Sequence, residues 1–198
     1  MKIPEVYPET RALIFDLDGT LANTIPMHYL AWTKAAQIHN FEFSKELFLE
    51  CTGLPTYKIV EVLNQNYNLQ LDPYHFSRLK EDFFRENMKD IQPIQPIVEL
   101  IYRYHKILPM AVGTGGKKSI AIRTMEVLGL DQYISILVSS EDVKNHKPAP
   151  DTFLKCAELL EVPPQYCQVF EDGERGIQAA KNARMMVTDV RKFYSTNL

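Results

Sequence analysis

The chain has 198 residues, of which 45% are hydrophobic and 24% are charged, a balance typical of a globular protein with an apolar core. Its net charge of −3 excludes the basic surface that nucleic acid or anionic lipid requires. No apolar stretch approaches the roughly 20 residues that cross a bilayer. The three cysteines are scattered, which argues for a reducing cytoplasm rather than a disulfide framework. We therefore predict a cytoplasmic protein with no nucleic-acid or membrane partner.

The first predicted element is a strand that ends in two carboxylates. Residues 13–15 form an apolar run with the character of a buried strand, and Asp16 and Asp18 follow it. Alternate residues of an extended segment point to the same side, so both carboxylates face one ligand at the strand end. Two anions this close repel each other, so the pair indicates a bound metal, a proton-carrying acid or both. The alternative is that both aspartates only turn and cap the chain.

Helical patterns without a strand between them follow this first strand. The first helix opens at Pro26 and has a predicted apolar stripe of Met27, Leu30, Ala31, Ala35 and Ile38. Two more helices are predicted over residues 55–66 and 73–90, and the pattern of the last carries Phe76, Leu79, Lys80, Phe83 and Phe84. Prolines at positions 93 and 96 then predict a connector.

After the connector, strands alternate with helices. Helices are predicted at 97–106, at 120–128, from an N-cap at Asp151, and at 177–183, and strands at 110–113, 136–138, 167–170 and 185–190. This alternation implies βαβ units with a parallel sheet. The predicted fold is an α/β core of residues 1–24 and 93–198, interrupted after its first strand by an all-helical cap of residues 25–92.

A hydroxyl and two glycines follow the second predicted strand. Thr114, Gly115 and Gly116 offer a side-chain hydroxyl and unencumbered backbone amides at a helix start, where a phosphate binds well. The alternative for Thr114 is simple helix capping.

Lysine and paired acids follow the next two strands. Prolines on both sides of residue 149 stiffen the loop that carries Lys147, which predicts a fixed cation, although surface charge is the ordinary explanation. Glu171 and Asp172 end the fourth strand and repeat the opening pattern of apolar strand, acids and glycine. Two acidic strand ends in one sheet predict an all-oxygen site suited to Mg²⁺.

These four clusters together predict phosphoryl transfer. A carboxylate that attacks a phosphate dianion faces charge repulsion, which Mg²⁺ and a lysine offset. A second carboxyl, Asp18, protonates the departing alkoxide and then activates water.

In this order the clusters resemble the haloacid dehalogenase (HAD) superfamily, and the likeness covers nearly the whole chain. The matching pieces are Asp16-Leu17-Asp18-Gly19-Thr20, Val112-Gly113-Thr114, Lys147-Pro148-Ala149-Pro150-Asp151 and Glu171-Asp172. The resemblance implies a Rossmann-like core with a C1-type cap. The chain looks closest to the β-phosphoglucomutase-like branch, which includes bacterial phosphatases of fructose 1-phosphate.

By this resemblance Asp16 is the nucleophile and Asp18 the general acid/base. Phosphate is bound by Thr114 with Gly115 and by Lys147. His28 is carried over as a contact of substrate or of Asp18, against the alternative of an ordinary helix-start residue. Mg²⁺ is held by the Asp16 side chain, the Asp18 backbone carbonyl and the Asp172 side chain, with Glu171 beside them.

Departures from the family pattern indicate which of the family's activities to expect here. The mutase holds a second phosphate with a lysine and an arginine in its cap loop, and the positions here are Thr52 and Thr56. We therefore predict an Mg²⁺-dependent phosphatase of small sugar phosphates. The alternatives are a phosphosugar mutase and a catalytically silent binding module, and the oligomeric state stays open. Arg184 occupies a position at a helix end that is commonly glycine.

Overall fold

The structure is a computed structural model that describes residues 2–194. Its five strands are β1 (Ala12–Phe15), β2 (Met110–Gly113), β3 (Ile136–Val138), β4 (Cys167–Glu171) and β5 (Met186–Asp189). They form one sheet in the order β3-β2-β1-β4-β5, and every neighbouring pair is parallel. The predicted α/β class with a parallel sheet is confirmed.

Helices occupy both the long segment after β1 and the later crossovers. They are α1 (Ile25–Ile38), α2 (Lys45–Cys51), α3 (Thr56–Tyr67), α4 (Pro73–Arg85), α5 (Gln95–Tyr104), α6 (Lys118–Leu128), α7 (Asp151–Leu159) and α8 (Glu174–Asn182). Helices α1 to α5 lie between β1 and β2, whereas α6, α7 and α8 each connect one strand to the next. In the described part of the chain, no helix has the length and hydropathy of a membrane span.

The register of β1 brings distant loops to one edge of the sheet. Phe15 pairs with Val112 of β2 and with Phe170 of β4. The Asp16 amide continues this ladder by donating to the Phe170 carbonyl at 3.0 Å. Residues just beyond these positions therefore share the crevice at the carboxyl ends of the strands, where open α/β sheets bind ligands.

Apolar side chains cover both faces of the sheet. In β1, Leu13 and Phe15 join one buried cluster and Ile14 joins another, as alternation along a strand requires. A third cluster lies among α1 to α4, around Trp32 and Phe76. This helical segment thus has apolar packing of its own, and the exact domain boundaries stay a prediction.

The predicted stripe of α1 is wrong in part. Ala31 and Ala35 are buried, but Leu30 is 49% and Ile38 56% exposed. Trp32 is buried instead, stacked on Phe76 with ring centroids 5.9 Å apart. The large indole sets the rotation of the helix, which turns the leucine and isoleucine to solvent.

Two helix starts also differ from the sequence patterns. Helix α2 was not predicted because its seven residues are too short to show a period, although Ser44 caps it by accepting from the Leu47 amide at 3.1 Å. Asp151 is not an N-cap. Pro150 already has a helical backbone, so Asp151 is the first helical residue, and its carboxylate accepts from the Asn145 side chain at 2.9 Å.

Helix α8 ends in a left-handed turn without glycine. Arg184 has φ +57°, and the Met185 amide donates to the Ala180 carbonyl at 3.0 Å. This turn closes the helix, but a side chain in this backbone conformation costs about 1 kcal/mol.

Arg184→Gly should therefore stabilise the protein by about 1 kcal/mol, which corresponds to a rise in Tm of about 2–4 °C for a chain of this size. Thermal unfolding followed by circular dichroism measures it. Ala183→Gly is the matched control, because Ala183 has φ −76° and gains nothing from glycine. An unchanged or lower Tm for Arg184→Gly contradicts the strain.

Candidate active site

Four loops meet at the carboxyl edge of the sheet. Asp16 follows β1, Thr114 follows β2, Lys147 precedes α7 and Glu171 ends β4. One small cavity of about 90 Å³ is lined by Asp16, Asp18, Thr114 and Glu171 together with residues of the helical segment. The structure thus places together the side chains that the sequence singled out.

Lys147 lies at the centre of the charged groups. Its Nζ donates to Asp16 Oδ1 at 2.6 Å and to Glu171 Oε2 at 2.7 Å, and the side chain is only 1% exposed. Burial alone lowers the pKa of this amine, but the two carboxylates raise it far above the usual range. The lysine is therefore a permanent cation that holds the nucleophile candidate in a fixed orientation.

The carboxylates destabilise one another's charge. Burial, with repulsion from Glu171, raises the pKa of Asp16 well above its usual value. The same causes raise the pKa of Asp172 to about 8. One lysine does not balance three acids, so the cluster favours an additional positive charge or a bound proton.

Each acid has a distinct hydrogen-bonding role. Glu171 uses Oε2 for Lys147, and its Oε1 accepts from the backbone amides of Asp172 and Gly173 at 3.1 and 2.9 Å. Asp172 accepts from the Thr20 hydroxyl at 2.9 Å. Gly19 has φ +88°, and a Cβ there would overlap the Asp172 carboxylate, so only glycine lets that acid approach.

The acid cluster fits a hard divalent cation. Oxygens of Asp16, Glu171 and Asp172 lie within 4.8 Å of one another. Lys147 occupies one oxygen of Asp16 and Thr20 occupies one of Asp172, so each carboxylate keeps a second oxygen for a cation. An all-oxygen site with excess negative charge is what Mg²⁺ prefers. Glu171 lies beside these groups as a brace for the lysine.

Asp18 belongs to a second hydrogen-bonded chain. Its Oδ1 accepts from the Thr24 hydroxyl at 2.7 Å and lies 3.1 Å from His28 Nε2. Lys80 Nζ lies 2.7 Å from the other ring nitrogen, His28 Nδ1. Because an ammonium only donates, Nδ1 accepts from it, and neutral His28 donates from Nε2 to Asp18.

Burial and charge set the ionisation along this chain. Burial lowers the pKa of Lys80 to about 8, and burial with the Lys80 charge lowers the pKa of His28. Burial alone would raise the pKa of Asp18, but His28, the Thr24 hydroxyl and the Lys80 charge together lower it to about 2. At neutral pH the chain is therefore an ammonium, a neutral imidazole and a carboxylate.

The phosphate-site candidates lie against the helical segment. The Thr114 hydroxyl accepts from the Gly116 amide at 2.9 Å, so it shapes the turn, whereas the α6 N-cap is Lys117. A Cβ at Gly115 would overlap the Gly53 carbonyl, which belongs to the loop between α2 and α3. The loop thus covers the site in this structure.

Sequence reasoning missed several residues of the site. The periodicity of residues 73–90 places Lys80 among apolar residues, and a lysine on a buried helix face is itself a signal of a buried partner. The hydroxyls of Thr20 and Thr24 carried no separate signal. The metal and phosphate roles of the predicted residues, the Asp18 carbonyl included, stay predictions.

The chain is similar in sequence and in structure to several known proteins. A family model described as haloacid dehalogenase-like hydrolase matches residues 13–190. The fructose-1-phosphate phosphatase YqaB of Escherichia coli (strain K12) is 38% identical over 187 residues, which cover 94% of this chain and 99% of that protein. A phosphorylated carbohydrates phosphatase of Thermotoga maritima is 28% identical over 176 residues, 87% of this chain and 81% of that protein. The crystal structure of β-phosphoglucomutase from Clostridium difficile has a TM-score of 0.80 at 26% identity and covers 91% of this chain and 84% of its own.

Fold and site together define an enzyme built on a Rossmann-like parallel sheet, with acids at the strand ends and a helical segment above them. The chain belongs to the haloacid dehalogenase-like hydrolase family. The resemblance seen in the sequence is confirmed.

The Lys80–His28–Asp18 chain predicts a basic limb in the pH profile. Above pH about 8 Lys80 loses its proton and its charge, which weakens its hydrogen bond to His28 Nδ1 and loosens the hold of His28 on Asp18. We expect kcat/KM for phosphate release to fall above pH about 8, and Lys80→Gln to abolish that limb because an amide donates without titrating. Lys117→Gln, the control, should keep the limb. A limb that persists in Lys80→Gln contradicts the assignment.

Proposed function

We propose that this protein is an Mg²⁺-dependent phosphatase of small sugar phosphates, such as fructose 1-phosphate, acting through an aspartyl-phosphate on Asp16. The observation that carries the proposal is the buried Lys147 ammonium between Asp16 and Glu171. The activities printed for the relatives, a fructose-1-phosphate phosphatase and a phosphatase of phosphorylated carbohydrates, support it.

In the first half-reaction a carboxylate oxygen of Asp16 attacks phosphorus. Lys147 offsets the repulsion between the two anions, and its hydrogen bond holds the carboxylate in line. Thr114 and Gly115 line the same cavity, where the hydroxyl and the backbone amide would hold phosphate oxygens. The bond from phosphorus to the sugar oxygen breaks as the bond to Asp16 forms.

Asp18 moves the protons of both half-reactions. It is ionised in the free protein, and an incoming phosphate dianion raises its proton affinity, so Asp18 takes up a proton with the substrate. It donates that proton to the departing alkoxide. It then accepts a proton from the water that attacks the aspartyl-phosphate, which releases inorganic phosphate and restores Asp16.

Asp16 and Asp172 would hold the Mg²⁺ ion, with the Asp18 carbonyl and with Glu171 nearby. The ion supplies charge stabilisation to phosphate oxygens during transfer. The raised pKa of Asp172 supports this assignment. Burial and repulsion from Glu171 destabilise its ionised form, and a bound cation would stabilise that form.

The cavity favours hydrolysis over a mutase reaction. Thr52 and Thr56 line it where the mutase carries cations for a second phosphate. Lys117, the nearest lysine after Gly116, is paired with Glu81 at 3.2 Å. Lys80 also lines the cavity, but its Nζ is engaged with His28 Nδ1 at 2.7 Å. The remaining wall from the helical segment is largely apolar, with Ile25, Trp32, Phe48, Leu54 and Ile59. We infer that the substrate carries one phosphate and a neutral leaving group.

A panel of phosphorylated metabolites tests the activity and Asp16→Asn tests the nucleophile. We expect phosphate release from sugar monophosphates with Mg²⁺, loss of release with EDTA, and a fall in kcat of at least about 10³-fold in Asp16→Asn. Asp131→Asn, an exposed site in the loop before β3, is the control. Full activity of Asp16→Asn contradicts the mechanism. Conversion of β-glucose 1-phosphate to glucose 6-phosphate without phosphate release indicates the mutase.

Metal binding is expected to change stability in a pH-dependent way. The raised pKa of Asp172 means that the metal-free folded protein loses stability as pH rises from about 4 to about 8. Mg²⁺ should therefore raise Tm more at pH 8 than at pH 5, and Asp172→Asn should weaken the Mg²⁺ dependence of Tm by about 10- to 100-fold in concentration. Asp131→Asn should match the wild type. No Tm shift with Mg²⁺ at pH 8 refutes the site.

A further inference from the structure

Polar contacts tie the helical segment to the loops of the sheet. Lys117 pairs with Glu81 of α4, and the Arg175 guanidinium donates to the Glu50 carbonyl at 3.1 Å. A different contact joins the Tyr57 hydroxyl of α3 to His146 Nε2 at 3.0 Å. Its place in the chain sets it apart, because His146 directly precedes Lys147.

The same part of the helical segment covers Lys147. A Cβ built at Gly53 would lie 3.8 Å from Lys147 Cδ and 4.0 Å from its Cβ, so the loop before α3 packs on the stem of the lysine. Tyr57 is the second residue of α3, four positions after Gly53. The loop and the tyrosine hydroxyl thus reach two consecutive residues of one sheet loop.

The hydrogen bond is poorly suited to a purely stabilising role. His146 Nδ1 is buried without a hydrogen-bond partner among the described residues. A buried nitrogen left unsatisfied costs about as much as an ordinary hydrogen bond contributes, so the pair adds little net stability.

We infer that the Tyr57–His146 hydrogen bond is a closure contact that positions Lys147. It forms when the helical segment lies on the sheet edge, and it holds the main chain beside Lys147 so that Nζ lies between Asp16 and Glu171. Opening of the segment breaks the bond and uncovers the lysine. As a role in catalysis, this inference rests on the proposed function.

Two tyrosines of the same stack offer a matched comparison. Tyr57 and Tyr74 rings lie 5.8 Å apart at 11°, and Tyr74 is 72% exposed. Tyr57→Phe removes the hydroxyl that meets His146, and Tyr74→Phe removes an exposed one. Cys51 reports opening because it lines the site cavity and is buried, while Cys156 and Cys167 lie in the core of the sheet.

The experiment measures N-ethylmaleimide labelling of Cys51 by peptide mass spectrometry, together with phosphate release and Tm. Tyr57→Phe should raise the Cys51 labelling rate and lower kcat/KM, each about two- to tenfold, with Tm unchanged. His146→Ala should match it, and the double variant should be no worse than either single variant. Tyr74→Phe should leave both rates within twofold of the wild type.

Unchanged Cys51 labelling in Tyr57→Phe overturns the closure contact, even where kcat/KM falls. Additive effects of Tyr57→Phe and His146→Ala overturn it as well. Absence of phosphate release by the wild type counts against the proposed function alone, because the labelling rates still decide whether the bond holds the segment closed.

Discussion

The structure depends on one buried lysine between two carboxylates. Lys147 is nearly inaccessible to water, so its charge has to be matched, and Asp16 and Glu171 match it at 2.6 and 2.7 Å. The loss of either acid leaves a buried charge without its partner, a change that typically costs about 3–5 kcal/mol. The third acid, Asp172, exceeds what the lysine balances, and this excess negative charge is the basis on which a divalent cation is proposed.

The sheet brings these groups together through register, and the helical segment completes the site. β1 lies between β2 and β4 and pairs with both, so the carboxyl ends of these three strands open onto the same crevice. α1 and α4 then supply His28 and Lys80, which fix the ionisation of Asp18. The proposed nucleophile and the proposed proton carrier therefore lie in different environments. Asp16 is held by Lys147 of the sheet loops, and Asp18 is held by the chain of His28 and Lys80 from the helices.

Much of the sheet and of the acid site follows from local sequence, since apolar runs end in polar residues at the same edge. Features that depend on packing between helices and strands cannot be predicted from local sequence. The rotation of α1 is set by Trp32 against Phe76, so Leu30 and Ile38 point outward despite their apolar character. Lys80 is a site residue only because α4 packs on α1, and a seven-residue helix such as α2 is too short for its period to be read. Pair contacts such as Tyr57 with His146, 89 positions apart, have no local signal.

The most direct test of the account is to trap the phosphorylated protein. Rapid acid quench of a single turnover with a sugar phosphate and Mg²⁺, followed by peptide mass spectrometry, should locate the phosphoryl group on the Asp16 side chain. It should appear before inorganic phosphate and decay as phosphate forms. Phosphate release at the full rate with no phosphorylated Asp16 at any time would mean that water attacks the substrate directly, and the account would be wrong.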